Sequence, residues 1–236
     1  VAVLSTGNEL AAPDQPLKPS HIVDSNQYAL CALIAKANAL PIPLGIVRDQ
    51  PAAVKAAITH ALTQADIVIS TGGVSVGDYD YVDDVLAELG ATLHIRSVAV
   101  KPGKPLTVAN FSRSSANMFS QQPLYFGLPG NPASAMVGFW RFVAPAIAKL
   151  SGRPGPWSPP FVWAKAKCDL RAGGKRETYL WGALTNDENG FSFTQASGSH
   201  SSGNLVNLVN VSGLGVVPQG ETLVETGQSV QVLKIR

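Results

Sequence analysis

Apolar residues along the first two-thirds of the chain follow two alternating rhythms. Short apolar runs at residues 1–4 (VAVL), 44–47 (LGIV), 67–70 (IVIS), 92–100, 106–109 and 124–128 read as strands. Between them, helix spacing recurs. Residues 26–39 place Leu30, Leu33, Ile34 and Ala37 on one face, and residues 52–62 form a helix opened by Pro51. Residues 81–89 form another, closed by Gly90, and a last helix runs from Ala133 to about Leu150. This alternation predicts a three-layer α/β/α domain with a mostly parallel sheet and helices on both faces.

The rhythm then changes. Residues 151–160 (SGRPGPWSPP) carry proline and glycine at a density that breaks helix and strand alike, and read as a linker. Beyond them come short strands at 161–170, 177–184, 191–195, 214–218 and 230–235, separated by Gly, Asn, Asp and Ser. The expected organisation is an α/β domain over 1–150, the linker 151–160, and a small all-β domain over 161–236, a barrel or a sandwich. Residues 112–122 are a Ser-rich polar insert that reads as a solvated loop. No internal repeat is visible. The chain opens inside a predicted strand without an initiator Met, which is expected of a piece of a longer protein.

Composition narrows the function classes. With 45% apolar and 14% charged residues, the 236-residue chain is globular and large enough for a substantial core. A net charge of +2 without a Lys/Arg run speaks against nucleic acid, and no apolar stretch reaches membrane-spanning length. Cys31 and Cys168 fall in different predicted domains and read as two buried thiols in a reducing compartment, the cytoplasm, with a disulfide as the alternative. His21, His60, His94 and His200 lack metal-ligand spacing, and no nucleophile elbow is present.

The chemistry concentrates at predicted strand ends. Thr71-Gly72-Gly73-Val74-Ser75-Val76-Gly77-Asp78-Tyr79-Asp80 follows the run at 67–70. Its glycines permit positive φ and close backbone approach, its N–H groups suit a phosphate, and Asp78 and Asp80 could hold a metal beside it. A plain polar turn is the alternative. It is neither a P-loop nor a G-x-G-x-x-G turn. Lys101-Pro102-Gly103-Lys104-Pro105 would present two ammonium groups rigidly to an oxyanion, against the alternative of two solvated lysines. In Gly127-Leu128-Pro129-Gly130-Asn131-Pro132-Ala133, Asn131 is a good N-cap and Pro132 a natural first helical residue. The segment makes sense as a helix start, and equally as an anion-ready N-terminus. Glu9, Asp24 and Asp49 also sit at strand ends. Asp24 or Ser25 could simply cap the following helix, whereas Glu9, Asp49, Asp78 and Asp80 would make an oxygen-rich site for Mg²⁺. Asp83 and Asp84 favour the first turn of their own helix.

In order, the motifs STGNEL (5–10), DSN (24–26), GIVRD (45–49), TGGVSVGDYDYV (71–82), VAVKPGKPL (98–106) and GLPGNPASA (127–135) resemble the molybdopterin molybdenumtransferase family, which includes bacterial MoeA and the gephyrin E domain. The resemblance implies a MogA-like α/β/α domain followed by a β-barrel. It also implies the reaction: adenylylated molybdopterin plus molybdate gives molybdenum cofactor and AMP, assisted by Mg²⁺ or another divalent cation. Carried over by motif, Glu9, Asp49 and Asp80 are acidic active-site and metal-binding positions and Lys101 a basic one, while Pro129 and Pro132 belong to the ordered loop before the last helix. Thr71, Gly72, Gly73, Ser75, Asp78, Lys104, Gly130 and Asn131 complete the expected substrate-binding set.

The chain also departs from the family pattern. Ser97, with Arg96 beside it, stands where a basic residue is frequent, and an arginine often found near Trp181 is absent. Val206 and Asn207 replace paired serines within the Gly/Ser-rich stretch 197–214. The resemblance further implies two N-terminal domains outside this chain, a homodimer in the full-length protein, and contact with other cofactor-biosynthesis proteins. Two other functions compete: a MogA-type molybdopterin adenylyltransferase, and a gephyrin-like binding scaffold without catalysis.

Overall fold

The structure is a computed structural model that describes residues 1–73, 81–111, 122–198, 203 and 208–235. The chain forms two compact units. One comprises Val1–Val98 with Pro105–Asn131, the other Ala99–Lys104 with Pro132–Arg236. In chain order the first half contains β1 (Ala2–Thr6), β2 (Leu10–Ala11), β3 (Ile22–Val23), α1 (Asn26–Lys36), β4 (Ile42–Val47), α2 (Pro51–Gln64), β5 (Ile67–Thr71), α3 (Tyr81–Glu88), β6 (Ala91–Ser97), β7 (Val100–Lys101), β8 (Pro105–Phe111) and β9 (Leu124–Leu128).

The first unit is built on a six-stranded sheet in the order β4-β1-β5-β9-β8-β6. The first four strands are parallel to one another, and β8 and β6 join antiparallel. Every residue of β1 and β5 is buried, as their apolar sequences require when both faces are covered. On one face Ala2, Leu4 and Val68 pack with Val54, Ile58 and Leu62 of α2 and with Val82, Val85 and Leu86 of α3. Helix α1, through Leu30 and Ile34, lies on β1 and β4 from the other face. These are the three layers the alternation predicts.

The helix ends follow local chemistry. Helix α1 stops at Lys36, earlier than its periodicity suggests, because Asn38 turns left-handed at φ 60°. The Ala39 N–H then donates to the Ile34 carbonyl, closing the orphaned end of the helix. Gly90 ends α3 at φ 78°.

The second unit opens with α4 (Pro132–Gly138), a π-helical segment (Phe139–Val143) and α5 (Ala144–Leu150). The sequence predicts one uninterrupted helix here. Pro145 lacks an N–H and would press on the carbonyl four residues back, and widening to a π turn relieves that conflict. After the helix come β10 (Phe161–Ala166), β11 (Leu170–Arg171), β12 (Glu177–Asp187), β13 (Gly190–Gln195), β14 (Gly213–Val217), β15 (Leu223–Val224) and β16 (Ser229–Lys234). The single strand read at 161–170 is thus two, with β11 pairing β15 instead.

Strands β13-β10-β16-β14-β12 close on themselves through a β12–β13 pairing, giving a five-stranded barrel rather than a sandwich. Closure turns on β12. Its residues Thr178–Gly182 pair with β14 and Gly182–Asp187 pair with β13, so Gly182 is the corner. The Phe193 ring fills the interior there. A Cβ on Gly182 would lie 2.2 Å from the Thr194 carbonyl oxygen, and one on Gly215 would lie 2.5 Å from the Phe193 ring. The two cysteines are free but only half-buried, less enclosed than the sequence suggests.

The barrel corner generates a test. Gly182→Ala should destabilise the protein by about 1–3 kcal/mol in urea unfolding, since the obstacle is backbone and cannot swing aside. An unfolding midpoint equal to that of the parent chain would refute this account of the corner.

Candidate functional site

Four parallel strands deliver four loops to one edge of the first unit's sheet, as carboxyl ends of parallel strands do in open α/β folds. Gly7-Asn8-Glu9 follows β1, Arg48-Asp49 follows β4, Gly72-Gly73 follows β5 and Pro129-Gly130-Asn131 follows β9. Below them the strand ends carry a row of buried hydroxyls. The Thr71 hydroxyl donates to Ser5 Oγ at 3.1 Å, and Ser70 Oγ lies 2.5 Å from the Tyr125 hydroxyl. Thr71 is only 1% exposed, so its side chain anchors the root of the loop.

Above that row the loops meet through backbone. Gly72, at φ 82°, donates its N–H to the Leu128 carbonyl at 3.3 Å. A Cβ there would lie 2.3 Å from the Thr6 carbonyl oxygen, and one on Gly130 would meet Gly72 Cα at 3.5 Å. Gly73, at φ 68°, sits against the Thr6 hydroxyl and the side chains of Val82 and Tyr81. Gly72 and Gly73 are needed for both reasons that sequence reasoning gives: positive φ and lack of room.

The carboxylates are exposed on this edge. The Asp49 N–H donates to Asn8 Oδ1 at 3.2 Å, and the Tyr81 hydroxyl donates to Asp49 Oδ1. Loops after the adjacent strands β1 and β4 are thereby tied together, with Glu9 one residue from Asn8. Glu9 folds its carboxylate over Gly7, where a Cβ would lie 2.7 Å from Glu9 Oε2. Ser75, Asp78 and Asp80 lie outside the described residues, as do most of the Ser-rich insert, Val206 and Asn207. Among the described residues no three His, Cys, Asp or Glu side chains are grouped to hold a metal ion.

Sequence reasoning undervalued two residues. Asp24 and Asn26 are 3% and 6% exposed. Asp24 Oδ1 accepts the Gln27 N–H at 3.2 Å, the capping contact the sequence allows, while Asn26 Nδ2 donates to the Gly130 carbonyl at 2.8 Å. Asp24 Oδ2 and Asn26 Oδ1 are buried without a hydrogen-bond partner. Burial and the Asp24 charge push the Cys31 thiol pKa up. The signal in the sequence was the Asp-Ser-Asn run before a helix, which capping accounts for locally and which also stands among the motifs of the family resemblance.

Arg96, beside Ser97, pairs with Asp83 Oδ2 at 3.0 Å and is mostly exposed. Lys101 and Lys104 belong to the second unit and are exposed. The Lys101–Pro102 peptide is cis, and Gly103 packs on the Ser134 carbonyl of α4, 3.4 Å from where its Cβ would be. Helix α4 starts at Pro132, directly after Asn131.

A glycine-lined edge with exposed carboxylates, beyond the carboxyl ends of parallel strands, defines an open α/β domain with a loop cluster where such folds place their ligand sites. Comparison with known proteins narrows the class. Residues 2–149 match the family described as "Probable molybdopterin binding domain", and residues 163–235 match "MoeA C-terminal region (domain IV)". A molybdopterin molybdenumtransferase from Nostoc sp. is 54% identical over 235 residues, covering 100% of this chain and 52% of that protein. The Haemophilus influenzae molybdopterin molybdenumtransferase is 34% identical over 232 residues, covering 98% and 55%. The crystal structure of the molybdopterin biosynthesis MoeA protein from Pyrococcus horikosii superposes with a TM-score of 0.80 at 27% identity, over 100% of this chain and 54% of that one.

The chain belongs to the MoeA-like molybdopterin molybdenumtransferase family of molybdenum cofactor biosynthesis. It spans about half the length of the curated relatives it matches. No helix among the described residues is long and apolar enough to cross a membrane.

Two glycines separate backbone strain from packing. Gly45 has φ 81° with nothing within 4 Å of a Cβ, so Gly45→Ala carries only the left-handed penalty of about 1–2 kcal/mol. Gly72→Ala adds the Thr6 clash, a further loss of about 1–3 kcal/mol in urea unfolding. Equal losses for the two variants would contradict the close packing at Gly72.

Proposed function

We propose that this chain carries the molybdenum-inserting site of its family, transferring molybdenum from molybdate to adenylylated molybdopterin with release of AMP. The observation that carries this reading is the convergence of four strand-end loops. They set two exposed carboxylates, Glu9 and Asp49, beside a glycine-lined run of backbone on one edge of the sheet. The backbone N–H groups of Gly73 and Gly130, with Ser75, Asn131 and the helix that starts at Pro132, suit the pyrophosphate of the ligand, while Gly72 gives its own N–H to Leu128 and lets the loops approach. Lys101 and Lys104 suit molybdate or phosphate oxygens as fixed positive charge. Asp80 and Asp78, six to eight residues after Gly72 in the sequence, complete the acidic set, and Pro129 stiffens the approach to the helix.

The donor chemistry fits Mg²⁺. Glu9 and Asp49 present hard, exposed carboxylate oxygens on loops already tied to each other through Asn8. With Asp80 they would hold the ion, whose chemistry is to neutralise phosphate charge as the phosphoanhydride breaks. The residues themselves bind and orient. Tyr81 holds the Asp49 carboxylate, Asn26 holds the Gly130 carbonyl, and the lysines offset the charge that builds on the departing AMP and on molybdate. Breaking a phosphoanhydride depends mainly on positioning and charge neutralisation, so such a site needs no covalent intermediate.

Residues 1–150 act here as the molybdopterin-binding domain, with 151–160 as linker and 161–236 as the barrel domain, in the cytoplasm and within a homodimer of the full-length protein. Residues 1–236 alone therefore bind ligand but turn over poorly, because part of the cleft lies in the rest of that protein.

Isothermal titration of residues 1–236 with adenylylated molybdopterin should show binding that Mg²⁺ strengthens, together with slow molybdenum insertion. In cells, a full-length protein carrying Lys101→Ala with Asp80→Ala should lose cofactor synthesis. Unchanged synthesis in that double variant would remove catalysis from this site.

A further inference from the structure

Strand β7 carries Lys101 at its end, and the periodicity of residues 92–100 predicts that it continues β6 in the α/β sheet. It does not. Strand β7 pairs in parallel with β12 of the barrel, Val100 opposite Glu177 and Lys101 opposite Thr178. The reason lies in β12. Its pairing with β13 covers one edge only from Gly182 onward, which leaves that edge of Glu177 and Thr178 open, and β7 occupies it.

The bonds at this junction fall on the residues just before Lys101. The Glu177 N–H donates to the Ala99 carbonyl at 2.9 Å. Arg176 reaches across with its guanidinium, and Nη1 donates to the Val100 carbonyl at 3.3 Å. The start of β12 is itself clamped. The Thr178 hydroxyl donates to the Arg176 carbonyl at 3.0 Å, and the Tyr179 hydroxyl donates to Glu177 Oε1 at 2.6 Å. Arg141, on the π-helical segment, lies 3.8 Å from the same carboxylate oxygen, with its guanidinium carbon 5.5 Å from the centroids of both the Phe142 and Phe161 rings. Burial and the Glu177 bond push the Tyr179 pKa up, which keeps the phenol protonated as a donor. Val100 is buried while Lys101 is exposed, so the strand is held by one residue and presents the next.

We propose that Arg176 is a positioning residue that fixes the backbone of Lys101 through the Val100 carbonyl, so that the barrel domain serves the oxyanion site by aiming its lysine. The proposal rests on Lys101 being an oxyanion-binding residue. An unanchored lysine spreads its ammonium over many rotamers and backbone positions, and each must be given up on binding. Anchoring the strand removes the backbone share of that cost.

The test is a double-mutant cycle on the 236-residue chain, with molybdate as the titrated anion and binding read by calorimetry. Lys101→Ala, Arg176→Ala and the double variant are compared, with Arg176→Lys as the conservative rescue and urea midpoints as the check on folding. If Arg176 acts through Lys101, Arg176→Ala weakens molybdate binding about fivefold, about 1 kcal/mol. Arg176→Lys then recovers most of that, and the double variant binds no more weakly than Lys101→Ala. Glu177→Gln, which keeps an acceptor for Tyr179 but removes the charge facing Arg141, gives a smaller loss of the same kind. Full binding by Arg176→Ala, or losses that simply add in the double variant, would overturn the positioning role and leave the function of Lys101 intact. An unaffected Lys101→Ala, or no molybdate binding by the parent chain, would overturn the oxyanion reading of Lys101 and the positioning role with it.

Discussion

The first unit depends on a close approach of backbone to backbone at Gly72. Thr6 and the Leu128–Gly130 segment lie far apart in sequence from Gly72 and from each other, and both come to within a few ångströms of it. No side chain at position 72 fits between the Thr6 carbonyl and the rest, and no L-residue adopts its φ cheaply. That contact lets the loops after β1, β5 and β9 share one edge. The buried hydroxyls of Ser5, Ser70 and Thr71 reinforce it from below, where a wholly apolar strand end would have left the loops unanchored. The exposed carboxylates of Glu9 and Asp49 stand on the loops that this contact brings together.

The barrel solves a different problem with a similar device. Five short strands cannot close without a corner, and Gly182 supplies it on β12, whose first half pairs with β14 and second half with β13. Closure leaves the first residues of β12 with an uncovered edge, and the lysine-bearing strand covers it. A packing remainder of the barrel is therefore joined to a motif that the family match at residues 2–149 contains. The second unit includes Ala99–Lys104 for the same reason.

Much of this was legible in the chain. Helix spacing at Leu30 and Ile34, Pro51 at the start of α2 and Gly90 after α3 located three helices to within a few residues. The all-apolar runs at β1 and β5 signalled strands buried on both faces. The candidate site was legible to the extent that glycines and carboxylates cluster after strands. What stayed hidden depends on partners distant in sequence. Asn26 looked like a helix-start residue until its amide was seen on Gly130, 104 positions away. Thr71 looked like a ligand contact, and its hydroxyl is given to Ser5.

By itself the sequence determined the alternation of elements, the glycines that only one conformation requires, and the order of the motifs. These are local properties, set by side-chain period, φ preference and capping chemistry. Only the tertiary structure decided between barrel and sandwich, because closure depends on which edge of β12 meets β13. It also decided that residues 92–100 divide between two sheets. A strand of alternating apolar residues satisfies its backbone equally well against either neighbour, and the open edge of β12 made the choice.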